Sequence, residues 1–294
     1  MRLAYPILCF LILSSSTLIA QTQTYETADA TIHYWGVMTL EDLQTAPHAW
    51  LAETSPLPLT SAEWSSKLEQ IEVDIYLGTW CGDSKRWVPA FIQLWQQLGL
   101  STGQLNLIAL HNEGDNYKQG PEGETLGLNI HRVPTFIFRS EDGDEVGRIV
   151  ERPLNDLETD LAQIAMGAAS LPRYRAVQRL SMLLETQPMD SISSPNRPYL
   201  RELYRAVTGP GELNTYGYVL KAQGRKREAL LVFRINAALF RFTPNCHDSL
   251  GELYAEQENW EAAKNCYEEV IRLKGEDEHA AAALEEIALQ MEGD

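Results

Sequence analysis

An apolar run at residues 71–77 leads within three residues into Trp80-Cys81-Gly82-Asp83-Ser84-Lys85, which opens a helical run over 87–98 with Pro89 inside it. The run reads as a buried strand, 71–78, and the segment after it as a helix, 81–98. Free backbone N–H groups and the helix dipole at such a helix start favour a thiolate. Further on, Arg132-Val133-Pro134-Thr135 leads straight into Phe136-Ile137-Phe138, a proline entering a strand. Between and after these lie a strand candidate at 105–110 and a polar, Gly-rich loop at 111–127 with a short helix near its end. Strands 135–139 and 145–150 meet across Asp142-Gly143, a good hairpin turn, and Asn155 caps a helix over 156–167. Strand and helix alternate throughout, which predicts an α/β domain.

Trp-Cys-Gly-x-x-Lys-x-x-x-Pro followed by Val-Pro-Thr resembles the thioredoxin family, over about residues 61–168. The resemblance implies a mixed central sheet with helices on both faces and Cys81 as the nucleophile. It implies that Trp80, Gly82, Asp83, Ser84, Lys85 and Arg132 support the thiol. It also implies a cis Pro134 packed beside Cys81, with Val133, Pro134 and Thr135 forming a short strand-addition site for an extended substrate. Lys85 and Arg132 add positive charge near the sulfur, whereas Asp83 opposes them. The plain alternatives are a small buried cysteine and an ordinary proline at a strand start.

The chain departs from the family at two places. Ser84 stands where the second cysteine belongs, and a hydroxyl cannot attack a mixed disulfide to release the product. A disulfide formed through Cys81 should persist until an outside thiol resolves it. Ile75 occupies the position of a buried acid, and Asp74, one residue off, should point to the other face.

Residues 1–20 combine a basic start, an apolar core and Ala20 before Gln21, the pattern of a secretory signal peptide cut after Ala20. Cys9 would leave with it. The expected location is secreted or periplasmic. Cys81, Cys246 and Cys266 then remain, an odd number that implies at least one unpaired thiol. Cys246 and Cys266 are either two buried free thiols or a disulfide. The net charge of −17 argues against nucleic acid and anionic membrane surfaces as partners.

Residues 21–60 read as a mixed N-terminal extension with a helix over 39–52 capped by Thr39 and closed by Pro56-Leu-Pro58. Ser61 caps a short helix over 62–70. Residues 169–210 read as a connector of two helices around a loop. In 211–294 an offset of 34 residues aligns Gly217 with Gly251, Gln223 with Gln257, Ala229 with Ala263, Phe233 with Tyr267 and Leu239 with Leu273. This resembles a pair of tetratricopeptide repeats, followed by a capping helix near 277–291.

No cofactor is expected, and the six histidines show no metal-ligand spacing. His111 and His131 flank the expected site as plain polar residues. The reading is thiol–disulfide exchange with client proteins or peptides at Cys81, with a client or partner held in the groove of the repeats. Its rival is a non-catalytic binding module that uses both domains as a scaffold.

Overall fold

The computed structural model describes residues 22–45, 49–53, 59, 62–193 and 199–293. The expected signal peptide, Cys9, Pro56-Leu-Pro58 and the Ser61 cap lie outside these residues. The first part is built from β1 (Gln23–Glu26), β2 (Ile32–Met38), β3 (Glu72–Leu77), α1 (Gly82–Gln97), β4 (Leu105–Ala109), β5 (Thr135–Arg139), β6 (Glu145–Val150) and α2 (Leu157–Ala165). The strands form one mixed sheet in the order β1-β2-β4-β3-β5-β6. Only β3 and β4 run parallel, as a strand–helix–strand crossover through α1 requires.

Alternation along β3 sets the two faces. Val73, Ile75 and Leu77 point to a core shared with Phe91 and Trp95 of α1, Phe136 and Phe138 of β5, and Leu161 of α2. Tyr76 points the other way, to a second core with Ile108, Leu110, Ile130, Val133 and Ile137. Asp74 shares that second face, where its carboxylate accepts from Arg139 Nε at 2.6 Å and Asn106 Nδ2 at 3.0 Å.

The expectation of helices on both faces is corrected here. Both α1 and α2 pack on the first face, and an irregular segment containing Leu110, Leu128, Ile130 and Val133 closes the second. That segment bends through positive φ at Gly114, Lys118, Gly123, Gly127 and Asn129, which a regular helix cannot accommodate. Its one helical piece is a 3-10 turn, Gly114–Asn116, near the start of the loop rather than its end.

Other boundaries also move. β2 lies in the segment read as a lead-in and pairs with β4, Gly36 opposite Ala109. Gly36 has φ +98°, and a glycine inside a strand reads as a break. The helix expected over 39–52 is two 3-10 turns, Glu41–Leu43 and Trp50–Glu53, and that over 62–70 is one, Ser65–Leu68. Thr39 still acts as a cap, since its Oγ1 accepts the Asp42 N–H while its own N–H donates to Asp42 Oδ2. Asp156, not Asn155, caps α2 and accepts the Thr159 N–H at 2.8 Å.

A helical region follows: α3 (Arg175–Thr186), α4 (Met189–Ser193), α5 (Tyr199–Ala206), α6 (Pro210–Ala222), α7 (Lys226–Leu239), α8 (Pro244–Glu256), α9 (Trp260–Lys274) and α10 (Glu278–Gly293). Among its described residues the connector holds three helices instead of two. Pro210 and Pro244 open α6 and α8, and Lys226 and Trp260 open α7 and α9, so the helices keep the 34-residue offset seen in the sequence. A Cβ on Gly217 would lie 2.4 Å from Phe233 Cε1, and one on Gly251 3.2 Å from the Tyr267 ring. The aligned glycines therefore let each hairpin close on its aligned aromatic.

Specific contacts fix α6 against α3 and join the helical region to the sheet region. Tyr174, before α3, takes φ +68° and its side chain does not cap the helix. The buried Glu212 carboxylate of α6 does so instead, accepting the N–H groups of Ala176 and Val177 at 3.0 and 3.1 Å and of Thr208 at 2.7 Å. Asn129 Nδ2 donates to Glu185 Oε1 at 3.2 Å, and Arg132 Nη2 donates to the Gly211 carbonyl at 2.8 Å.

Candidate functional site

Cys81 is the N-cap residue of α1, with extended backbone at φ −95° and ψ 123°. Its N–H donates to Gly78 O at 2.9 Å and its carbonyl accepts the Lys85 N–H at 3.0 Å. The side chain is half-buried. It does not cap the helix but turns across to the loop before β5, where Sγ donates to the Val133 carbonyl at 3.3 Å. The Val133–Pro134 peptide bond is cis. The two motifs, 52 residues apart in sequence, thus meet at the sulfur.

The supporting residues divide into two sets. Trp80 is half-buried beside the thiol, and its Nε1 donates to Leu110 O at 2.9 Å. Ser84 is fully buried, and its hydroxyl accepts the Gly78 N–H at 3.1 Å. It fastens the end of β3 to the first turn of α1. Thr135 donates from Oγ1 to Arg132 O at 2.8 Å, and the Pro134 carbonyl accepts the Glu151 N–H at 2.7 Å. Val133, Pro134 and Thr135 are buried. Gly82, Asp83 and Lys85 are exposed in the first turn of α1. A Cβ on Gly82 would touch nothing, so no close approach explains that glycine.

Arg132 spans the junction with the helical region. Besides Gly211 it reaches Glu151 at 3.7 Å and lies 5.1 Å from the centre of the Tyr174 ring. Tyr174 in turn donates its hydroxyl to Glu151.

Lys118 and Tyr117 are missing from the sequence reading. Lys118 is only 5% exposed, and its Nζ donates to the His131 carbonyl at 3.0 Å. Tyr117 faces α6, its ring edge-on to that of Tyr218 with centres 6.4 Å apart, and burial holds its phenol above the ordinary range. His131 is enclosed by the Tyr174 and Tyr216 rings, and His111 stacks on Tyr25 with ring centres 3.8 Å apart. Both histidines serve packing.

Cys246 and Cys266 are free and buried, and burial pushes both thiols up to about 11. Asn236 Nδ2 donates to Cys246 Sγ at 3.3 Å. A cavity of about 880 Å³, lined by Trp64, Trp87, Leu94, Leu157 and Met166, lies on the α1–α2 side without Cys81. Among the described residues no group of three or more His, Cys, Asp or Glu side chains is placed to hold a metal ion.

Chemically, the arrangement offers the one accessible thiol among the described residues, between a helix start and a strand-entry loop, with the buried Lys118 amine bonded to that same loop two residues earlier. Comparison with protein-family models, with curated proteins and with solved structures finds no match to this chain.

Proposed function

We propose that this is an exported thioredoxin-like protein with tetratricopeptide-like repeats that exchanges thiols and disulfides with client proteins. The observation that carries the reading is the half-buried Cys81 Sγ at the start of α1, 3.3 Å from the Val133 carbonyl. A client disulfide meeting that sulfur would lie along the loop into β5, where the Val133 carbonyl, once the thiol releases it, would be free to pair with an extended chain. The sheet order and the half-buried Trp80 beside the thiol support that family reading, while Ile75 remains a departure from it. The hairpin offset and the two glycine–aromatic closures support the repeat reading.

Ser84 limits the chemistry to one sulfur. The thiolate attacks a client disulfide, a mixed disulfide forms, and the client's second sulfur departs. With a serine hydroxyl bound to the Gly78 N–H, nothing in the first turn of α1 reverses that bond. Cys246 and Cys266 are sealed inside the helical region. Release then falls to a client thiol, a small thiol or a partner protein.

Incubation with a disulfide-bridged peptide, followed by mass spectrometry, tests this. One adduct should form on Cys81, persist until excess thiol is added, and vanish in Cys81→Ser. In Ser84→Cys the peptide should be shed as an intramolecular disulfide to Cys81 closes. A wild-type chain that forms no adduct at Cys81 under these conditions excludes exchange and leaves the binding-module reading.

A further inference from the structure

Lys118 and Cys81 hang from the same short segment. The amine donates to the His131 carbonyl and the thiol to the Val133 carbonyl, two residues on. Lys118 Nζ also lies 5.8 Å from the centre of the Trp80 ring and 4.9 Å from that of Tyr117. The charged and titratable groups facing it are Cys81, Arg132, Glu151, His131 and Tyr117. Glu151 is already engaged by Arg132 and the Tyr174 hydroxyl. Burial, then the Arg132 guanidinium, push the amine down to about 7, while Cys81 and Glu151 act the other way. A buried lysine near neutrality is a group that can take and return a proton.

The Cys81 contact creates the need for such a group. A thiol donates to the Val133 carbonyl, but a thiolate cannot, and the carbonyl dipole then opposes the new charge. Resting on the exchange reading above, the geometry points to Lys118 as the residue that holds the proton of Cys81 during exchange. The pair shares one proton, as thiol and amine or as thiolate and ammonium. As the proton leaves Sγ and one arrives on Nζ, the pair becomes thiolate and ammonium, with no net change in charge. The thiolate attacks one sulfur of the client disulfide. The mixed S–S bond forms as the client S–S bond breaks, and the electron pair goes to the departing sulfur. The ammonium then returns its proton to that leaving thiolate, so the client's own disulfide is the only oxidant required.

The test is the rate of Cys81 alkylation by iodoacetamide on the full chain against pH, with peptide mass spectrometry separating Cys81 from the two buried thiols. The wild-type profile should rise at lower pH than that of the same cysteine in the urea-unfolded chain. Lys118→Met and Lys118→Gln should move the profile up by about one pH unit, a roughly tenfold slower reaction near pH 7. As a second measurement, the ¹³Cε resonance of Lys118 should titrate at lower pH in Cys81→Ser than in the wild type, because the facing anion is gone. A wild-type profile equal to that of the unfolded chain overturns the exchange reading itself. A displaced wild-type profile left unchanged by both Lys118 variants overturns only the role of Lys118. If those variants do not fold, an identical Lys118 titration in the wild type and Cys81→Ser does the same.

Discussion

At the scale of single residues, burial decides charge in this molecule. The His131 ring lies edge-on to Tyr174 and Tyr216, with Nδ1 3.2 Å from Asn129 O. Burial first, then the cations Lys118, Arg132 and Arg148, push it down to about 3. An unfolded histidine titrates near 6.5. Between those values the unfolded chain holds a proton that the folded chain refuses. Stability from this group is therefore full above 6.5 and is lost as pH falls toward 3. By pH 4.5 the loss is about 2–3 kcal/mol. Urea denaturation at pH 7 and pH 4.5 should show that much more acid loss in the wild type than in His131→Phe, which keeps the ring contacts. Equal losses would mean that the ring is charged or open to water. The same rule explains why Cys81 is legible in the sequence and Lys118 is not. Cys81 is marked by a strand before it, a helix after it and fixed motif spacing. Lys118 is buried by the path of a Gly-rich loop, with Lys118 itself at φ +55°, and no local periodicity records that path.

At the scale of elements, the hairpins depend on missing side chains. A methyl on Gly217 would sit 2.4 Å from Phe233 Cε1, and Phe233 is fully buried against Tyr218, with ring centres 5.1 Å apart. Alanine gains about 1 kcal/mol of helix preference over glycine, while forcing a packed ring aside costs about 1–3 kcal/mol. Overpacking wins, so Gly217→Ala should lower stability. At Gly251 the clearances are 3.1–3.2 Å, and the two effects should nearly cancel. Thermal melts of the two variants check the order, and a Gly251→Ala protein less stable than Gly217→Ala would contradict it. These helices were readable because repetition doubles the signal: each proline start and each glycine occurs twice at one offset. The strands 135–139 and 145–150 were readable for a similar reason, a strong alternation around Asp142-Gly143. β2 was hidden by Gly36 within it. The 3-10 turns at 41–43 and 50–53 were read as one helix because polar first-turn residues and a Thr cap suit both. The face opposite α1 was misjudged because its cover is irregular chain, which leaves no pattern to count.

At the scale of the whole molecule, the thiol site and the helical region form one mechanical unit. Arg132 immediately precedes the residue whose carbonyl receives the Cys81 thiol, yet its guanidinium spans to Gly211 at the start of α6, to Glu151 and to the Tyr174 ring. Tyr216 OH to Asn129, at 3.3 Å, and the Tyr117–Tyr218 edge contact run beside it. Glu212, next to Gly211, caps α3, so α6 is held to α3 within the helical region as well as to Arg132 across the junction. Arg132→Met removes the charged link while leaving both apolar cores untouched. The two regions should then unfold separately. Six of the seven tryptophans lie between positions 35 and 95, so fluorescence follows the sheet, while far-ultraviolet circular dichroism is weighted toward the helices. In the wild type the two signals should change together; in Arg132→Met their midpoints should part by several degrees. Coincident midpoints in the variant would show that Asn129 and the aromatic contacts carry the junction without Arg132. Parted midpoints would show that the Arg132 side chain couples the two regions in unfolding, because it bridges the loop before Val133, Glu151 and the start of α6.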